Sequence, residues 1–104
     1  MVDIQLKLND QGHGAFVLEN EGERLAEMEV GIRDGKMTVY HTEVAEVLKG
    51  QGIATKLLTE MVNYARQKKL KVIPLCPFVH AQFKRHPEQY NDIWKKDWHA
   101  ENRH

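Results

Sequence analysis

The sequence predicts an α+β fold built on a mixed, mostly antiparallel sheet of five strands. Two observations lead to this prediction. The first half of the chain has four segments in which apolar and polar residues alternate, with short turns between them, which is typical of an antiparallel meander. The second half has one long amphipathic helix followed by a short apolar segment. Because a strand–helix–strand crossover normally leaves its two strands parallel, we expect strands 4 and 5 to form a parallel pair around this helix.

The four strands of the first half follow from alternation and from turn chemistry. They are predicted at residues 2–8, 15–19, 24–34 and 37–44. In the first of them, Ile4, Leu6 and Leu8 alternate with polar residues and are expected to face the core. The third has a composition that also fits a helix, but its apolar residues alternate cleanly, which favours a strand. Asp34-Gly35 is the signal of a tight hairpin between strands 3 and 4.

The long helix is predicted over residues 53–69 because its apolar residues recur at helical spacing. Those that share one face are Ile53, Leu57, Leu58, Met61, Val62 and Ala65. A fifth strand is predicted at 71–75, and a short helix at 78–85 that stops before Pro87. Ile93, Trp94 and Trp98 are expected to cover the core.

Composition restricts the classes of function. The 104 residues form one expected domain, 1–104, and fifteen basic residues balance fifteen acidic ones. With no net charge, no global field draws the chain to nucleic acid, so we expect no nucleic-acid partner. No apolar run approaches the roughly 20 residues of a membrane span, so no membrane partner is expected either. A single cysteine cannot form an internal disulfide, which suits a cytoplasmic protein.

The stretch that carries the functional signal lies between strand 4 and the long helix. Gly50 and Gly52 stand immediately before the helix, where backbone N–H groups lack partners and the helix dipole is positive. Glycines permit a tight turn and a close approach of a ligand, so the pattern predicts an anion-binding loop for phosphate or pyrophosphate. The dinucleotide fingerprint requires a third glycine where Thr55 stands, and the nucleotide P-loop spacing is absent.

The hexapeptide Lys49-Gly50-Gln51-Gly52-Ile53-Ala54 resembles the acetyl-CoA signature of the GCN5-related N-acetyltransferases, Arg/Gln-x-x-Gly-x-Gly/Ala. Residues 41–77 also resemble a minimal-length subfamily of these proteins. The resemblance implies the acyl-CoA N-acyltransferase fold and acetyl-CoA as co-substrate, with loop amides on the CoA pyrophosphate. The expected cofactor-binding residues are Val44, Lys49, Gly50, Gln51, Gly52, Ile53, Ala54, Thr55 and Lys84. Two helices that the family usually has between strands 1 and 2 are missing.

In the family, strands 4 and 5 diverge and the pantetheine arm lies between them. The resemblance therefore implies that the acetyl group lies near residues 40–43 and 75–78, and that His41 and Cys76 have catalytic roles. Imidazole is suited to act as a base toward an amine. Cys76 is either a nucleophile that takes the acetyl group, with His41 as its base, or a buried structural thiol. Lys84 and Arg85 stand where the family often has a tyrosine acid, and they either meet CoA phosphates or form a solvated basic face. Tyr90 replaces that acid only if the chain folds back. The histidines show no zinc spacing, so no metal is expected.

These features leave three hypotheses. The first is an N-acetyltransferase that moves acetyl from acetyl-CoA to a small-molecule amine or a protein lysine. The second is a non-catalytic acetyl-CoA binding or sensor module, because the acceptor helices and the tyrosine are missing. The third is an interaction domain that does not bind CoA. The chain is expected to be a monomer or a homodimer, the latter if strand 5 is an open edge.

Overall fold

The computed structural model of the chain describes residues 3–96. In order, its elements are β1 (Ile4–Leu8), β2 (His13–Asn20), β3 (Glu23–Arg33), β4 (Lys36–Val44), a 3₁₀ turn (Glu46–Leu48), α1 (Ile53–Lys68), β5 (Lys71–Pro74), α2 (Pro77–Arg85) and α3 (Pro87–Tyr90). The ends of the predicted elements agree with these bounds to within about two residues, the usual uncertainty of an element boundary.

The strands form one sheet in the order β1-β2-β3-β4-β5. The first three pairings are antiparallel and the β4–β5 pairing is parallel, which confirms the predicted topology. The hairpin between β3 and β4 turns at Asp34 (φ 54°) and Gly35 (φ 76°). Positive φ at both central residues is the geometry that the Asp-Gly pair favours.

Helix α1 covers one face of the sheet and packs against β2, β3 and β4. Each of the six apolar residues predicted to share its face is buried in the core. Leu8, by contrast, is 38% exposed, so its predicted place in the core is wrong. It is the last residue of β1, an edge strand of which Ile4 and Leu6 pack against the core, and alternation alone does not show how far along an edge strand the core extends.

The edge of the sheet at β5 is partly covered by the chain that follows α3. The amide of Val72 donates to the carbonyl of Ile93 (2.6 Å), and the amide of Lys95 donates to the carbonyl of Val72 (2.9 Å). Ile93 is buried and Trp94 packs against the core, as predicted, whereas Trp98 lies outside the described residues. This pairing removes part of the open edge that would favour dimerisation through β5.

Two short elements were not predicted, namely the 3₁₀ turn at Glu46–Leu48 and α3. Pro87 ends α2 as expected, but it also begins α3 as its first residue, where its fixed φ and missing N–H are tolerated. None of the helices in the described part of the chain is long and apolar enough to cross a membrane.

One feature of the sheet positions the candidate site. The β4–β5 pairing ends at Val39 and Pro74, whereas β4 continues to Val44 and pairs there with β3. The chain leaves β5 to enter α2, so the last part of β4 is separated from β5. This opening lies beside the N-terminus of α1.

Candidate functional site

The loop before α1 is shaped by its two glycines. Gly50 (φ 86°) and Gly52 (φ 73°) both adopt the left-handed conformation, which costs a residue with a Cβ roughly 1–2 kcal/mol. Gly52 is the N-cap residue of α1, and no side chain among the described residues caps this end. Amide groups of the first helical turn therefore remain available to an anion at the positive end of the helix dipole.

A cavity of about 510 Å³ lies in front of this helix end, between β4 and the first turn of α2. It is lined by Thr42, Glu43, Val44, Leu48, Lys49, Gly50, Gly52, Ile53, Ala54, Thr55 and Phe78. The residues predicted to bind the cofactor all line it except Gln51 and Lys84. Fold and sequence pattern thus bring most of the predicted binding residues to one cavity.

The two exceptions have other positions. Gln51 turns its side-chain amide back onto the carbonyl of Val47 (3.4 Å). Lys84 lies in the last turn of α2 and is exposed. Tyr90, the conditional replacement for the family's acid, stacks on Phe83 with ring centroids 4.6 Å apart and lines a different groove. The chain therefore does not fold Tyr90 back onto the cavity.

The cavity has two chemically different ends. One end is the glycine loop and the N-terminus of α1, which offers backbone N–H groups. The other, which we name the inner end, is formed by Thr42 on β4 and Phe78 on α2. Along β4, Thr42 precedes Val44 by two residues, so the inner end lies roughly 7 Å from the strand terminus that leads to the loop. A ligand with an anionic part and a reactive part separated along its length fits this arrangement.

Cys76 lies beside the inner end and is almost completely buried, with 2% of its surface exposed. Its backbone is held on both sides, because its amide donates to the carbonyl of Val39 (2.9 Å) and its carbonyl accepts from the amide of His80 (2.9 Å). It is the N-cap residue of α2. Its thiol lies 3.3 Å from the hydroxyl of Thr42, which itself lines the cavity. The thiol thus contacts a residue of the cavity wall, although Cys76 itself does not line the cavity.

His41 lies on the opposite face of the sheet. Because His41 and Thr42 are consecutive in β4, their side chains point to opposite faces. The imidazole Nδ1 lies 3.0 Å from Glu29 Oε1, while Nε2 lies 3.4 Å from Glu27 Oε2 and 3.7 Å from Glu43 Oε1. The structure therefore does not bring His41 and Cys76 side by side, although both flank the opening beyond Val39.

An irregularity in the β3–β4 ladder increases the number of side chains on this outer face. The register changes between Glu29 and Val30, which leaves Tyr40 as an extra residue in β4. Tyr40 stacks on the imidazole of His13 (5.6 Å between centroids), and His13 Nε2 lies 2.6 Å from Glu29 Oε2. The result is a continuous polar row on the face opposite to α1.

Part of this row has metal-ligand composition. Ligand atoms of Glu27, His41 and Glu43 lie within 4.8 Å of one another. The group is open to water, with His41 45% exposed and Glu43 75% exposed. Carboxylates this exposed are common without a metal, so the expectation that no metal is bound stays a prediction.

The titratable groups with perturbed pKa values lie away from the cavity. A hydrogen bond from Arg66 (Nε to Oδ2, 2.9 Å) holds the pKa of Asp92 below its ordinary value of 3.8, and the same contact raises the pKa of Arg66. Arg66 also donates to the carbonyl of Gln89, so this pair ties α1 to the chain around α3. On the sheet, a hydrogen bond from Lys7 lowers the pKa of Glu19.

Thr42, Glu43 and Phe78 lie in the two segments where the resemblance placed the acetyl group, 40–43 and 75–78, although the sequence assigned them no individual roles. Glu27 and Glu29 were not predicted. The sequence did indicate which face Glu27 and Glu29 occupy, because they alternate with buried Ala26 and Met28 and therefore share the outer face. What the sequence did not supply was the β3–β4 register that brings them opposite His41.

The comparisons with known proteins agree with this geometry. Residues 15–93 match the sequence profile of the GCN5-related N-acetyl-transferase family. A solution structure of a GCN5-like, proposed N-acetyltransferase from Staphylococcus aureus matches with a TM-score of 0.64 and 29% identity, covering 86% of each chain. The ribosomal-protein-S18-alanine N-acetyltransferase from Escherichia coli matches in fold, with a TM-score of 0.56 and 15% identity over 64% of this chain and 43% of that one. None of the curated proteins gave a significant match.

The matched profile spans most of the chain, so the protein belongs to the GCN5-related N-acetyltransferase family. Its fold is the α+β fold of that family, as the sequence predicted.

Proposed function

We propose that the protein is an N-acetyltransferase that binds acetyl-CoA in the cavity before α1 and transfers the acetyl group to an amine. The observation that carries the proposal is the pairing of an uncapped helix N-terminus at Gly52 with an inner end beside Cys76. The pyrophosphate of acetyl-CoA would bind the loop amides. The thioester would then lie at Thr42 and Phe78.

In the proposed reaction Cys76 is the nucleophile. Its sulfur forms a bond to the thioester carbonyl carbon, and the bond from that carbon to the CoA sulfur breaks. The Cys76 thiol loses its proton to solvent before attack, and the CoA thiolate takes up a proton from solvent as it departs as the free thiol. In the second step a neutral amine forms a bond to the acetyl carbon, and the sulfur of Cys76 leaves and regains a proton from solvent.

His41 would accept the proton that the amine loses. His41 and Cys76 both flank the opening beyond Val39, so an amine that enters from the outer face would lie between the imidazole and the acetyl group. Glu27, Glu29 and Glu43 surround the imidazole and make this face attractive to a cationic acceptor. The proposed acceptor is therefore a small-molecule amine or a protein lysine.

Two measurements on one sample test the proposal. Calorimetry with acetyl-CoA measures binding, and intact mass measures whether one acetyl group is added to the chain. Cys76→Ala is the matched control, because Cys76 is the single cysteine of the chain. Binding with an adduct that this variant lacks supports the proposal, and absence of binding overturns it.

The second candidate is a non-catalytic acetyl-CoA binding module. The burial of Cys76 and the separate position of Tyr90 favour it. It predicts tight binding with neither adduct nor free CoA released in the presence of amines. For either candidate we propose a cytoplasmic location and a monomer or homodimer, without a nucleic-acid or membrane partner.

A further inference from the structure

The contact between Thr42 and Cys76 bears on how the buried thiol would react. The two groups come from different elements, β4 and the start of α2, and meet at 3.3 Å. Thr42 also lines the cavity, whereas the nearly buried Cys76 does not. A hydrogen bond therefore joins the thiol to a residue of the cavity wall.

We propose that Thr42 is a positioning residue for Cys76, and this rests on the proposed function. In the neutral pair either group can donate the hydrogen bond. Once the thiol has lost its proton, its sulfur can only accept, so the Thr42 hydroxyl must donate to it. A hydrogen bond to the charged form favours that form, and the bond also fixes the direction of the sulfur toward the inner end.

The setting of Cys76 supports this role. Its backbone is fixed between Val39 and His80, so the side chain has little freedom other than rotation about its first torsion angle. As the N-cap residue of α2, it lies at the positive end of a helix dipole, where an anion is favoured. His41 points to the other face of the sheet, which leaves the Thr42 hydroxyl as the side-chain hydrogen-bond partner of the sulfur among the described residues.

The hydroxyl has a defined task in the acetyl-transfer step described above. Attack requires the sulfur to reach about 3–3.5 Å from the thioester carbon with its electron pair aligned. Thr42 holds the sulfur of Cys76 against the cavity wall before attack. When the carbon–sulfur bond has formed and the acetyl group is on Cys76, the sulfur no longer carries a negative charge and its hydrogen bond from the Thr42 hydroxyl weakens.

Two substitutions separate the hydroxyl from the volume of the side chain. Thr42→Val removes the hydroxyl and keeps the shape, and Thr42→Ser keeps the hydroxyl and removes the methyl group. The rate at which iodoacetamide alkylates the thiol is measured by intact mass over a range of pH. This reading reports Cys76 alone because the chain has no other cysteine, and Cys76→Ala gives the background.

We expect Thr42→Val to slow alkylation near neutral pH by about ten-fold or more, because the thiolate loses its hydrogen bond from the hydroxyl. Thr42→Ser should keep the wild-type profile and a rate within about two-fold. Acetyl adduct formation from acetyl-CoA should follow the same order among the variants. Melting temperatures of both variants check that the fold is retained.

Equal profiles for wild type and Thr42→Val overturn the inference, as does a wild-type thiol that iodoacetamide never reaches. It is also overturned if Thr42→Ser slows alkylation as much as Thr42→Val does, because the volume of the side chain and not its hydroxyl would then control the rate. Failure of the proposed function is a separate result, seen as no acetyl-CoA binding by wild type. The alkylation profile does not depend on acetyl-CoA and therefore distinguishes the two failures.

Discussion

Replacement of Gly52 by alanine tests the glycine loop most directly. The left-handed conformation of Gly52 (φ 73°) costs an alanine about 1–2 kcal/mol, and its added Cβ would meet no atom within 4 Å. The loss of stability thus comes from the backbone alone and lowers the melting temperature by about 4–8 °C per kcal/mol. Because Gly52 lines the cavity, relaxation of this strain would move the helix N-terminus, and we expect acetyl-CoA affinity to fall about ten-fold or more.

Gly22→Ala is the matched control. Gly22 is also left-handed (φ 82°), and its added Cβ also meets nothing within 4 Å. It lies in the turn between β2 and β3, away from the cavity. Both variants should therefore lose a similar amount in melting temperature, while only Gly52→Ala loses affinity in calorimetry. Equal affinities in the two variants would refute the assignment of the loop as the pyrophosphate site.

Three further predictions follow from the site and its surroundings. Phe78→Ala should widen the inner end and raise the affinity for butyryl-CoA relative to acetyl-CoA by about ten-fold in calorimetry. An unchanged ratio of the two affinities would mean that Phe78 does not limit the size of the acyl group. His41→Gln should leave the acetyl adduct on Cys76 intact but slow transfer to an amine about a hundred-fold or more; loss of the adduct itself would instead place His41 in the first step. The hydrogen bond from Arg66 lowers the pKa of Asp92. The pair therefore contributes its full stabilisation above the ordinary pKa of 3.8, and this stabilisation is lost as the pH falls through the lower pKa of the folded state. The two side chains are 43% and 58% exposed, so Asp92→Asn should lower the melting temperature only by about 1–5 °C at neutral pH and by less in strong acid. An equal decrease at both pH values would contradict this reasoning.

The elements that could be predicted are those whose signal is local. The alternation in the third strand and the helical spacing from Ile53 to Ala65 each reflect one element facing one core, and both are confirmed. Leu8 shows where this reasoning ends, since its burial depends on the reach of α1, a separate element. The second role of Pro87, as the first residue of α3, likewise depends on how the following residues pack.

The candidate site divides in the same way. The glycine loop could be found from sequence because its conformation is required by Gly50 and Gly52 themselves. The sequence also singled out His41 and Cys76 through the family resemblance, but it did not show which groups surround them. The β3–β4 register brings Glu27 and Glu29 to His41, and the turn from β5 into α2 brings Cys76 to Thr42.

By itself, the sequence therefore determined the order of the five strands with α1 and α2, the face of α1 that is buried, and the glycine turn that precedes α1. These properties depend on residues close together along the chain, where spacing and turn chemistry control the conformation. Only the tertiary structure decided that the thiol and the imidazole lie on opposite faces of the sheet with different partners. That result depends on the pairing of strands, in which a shift of one residue moves every side chain to the other face.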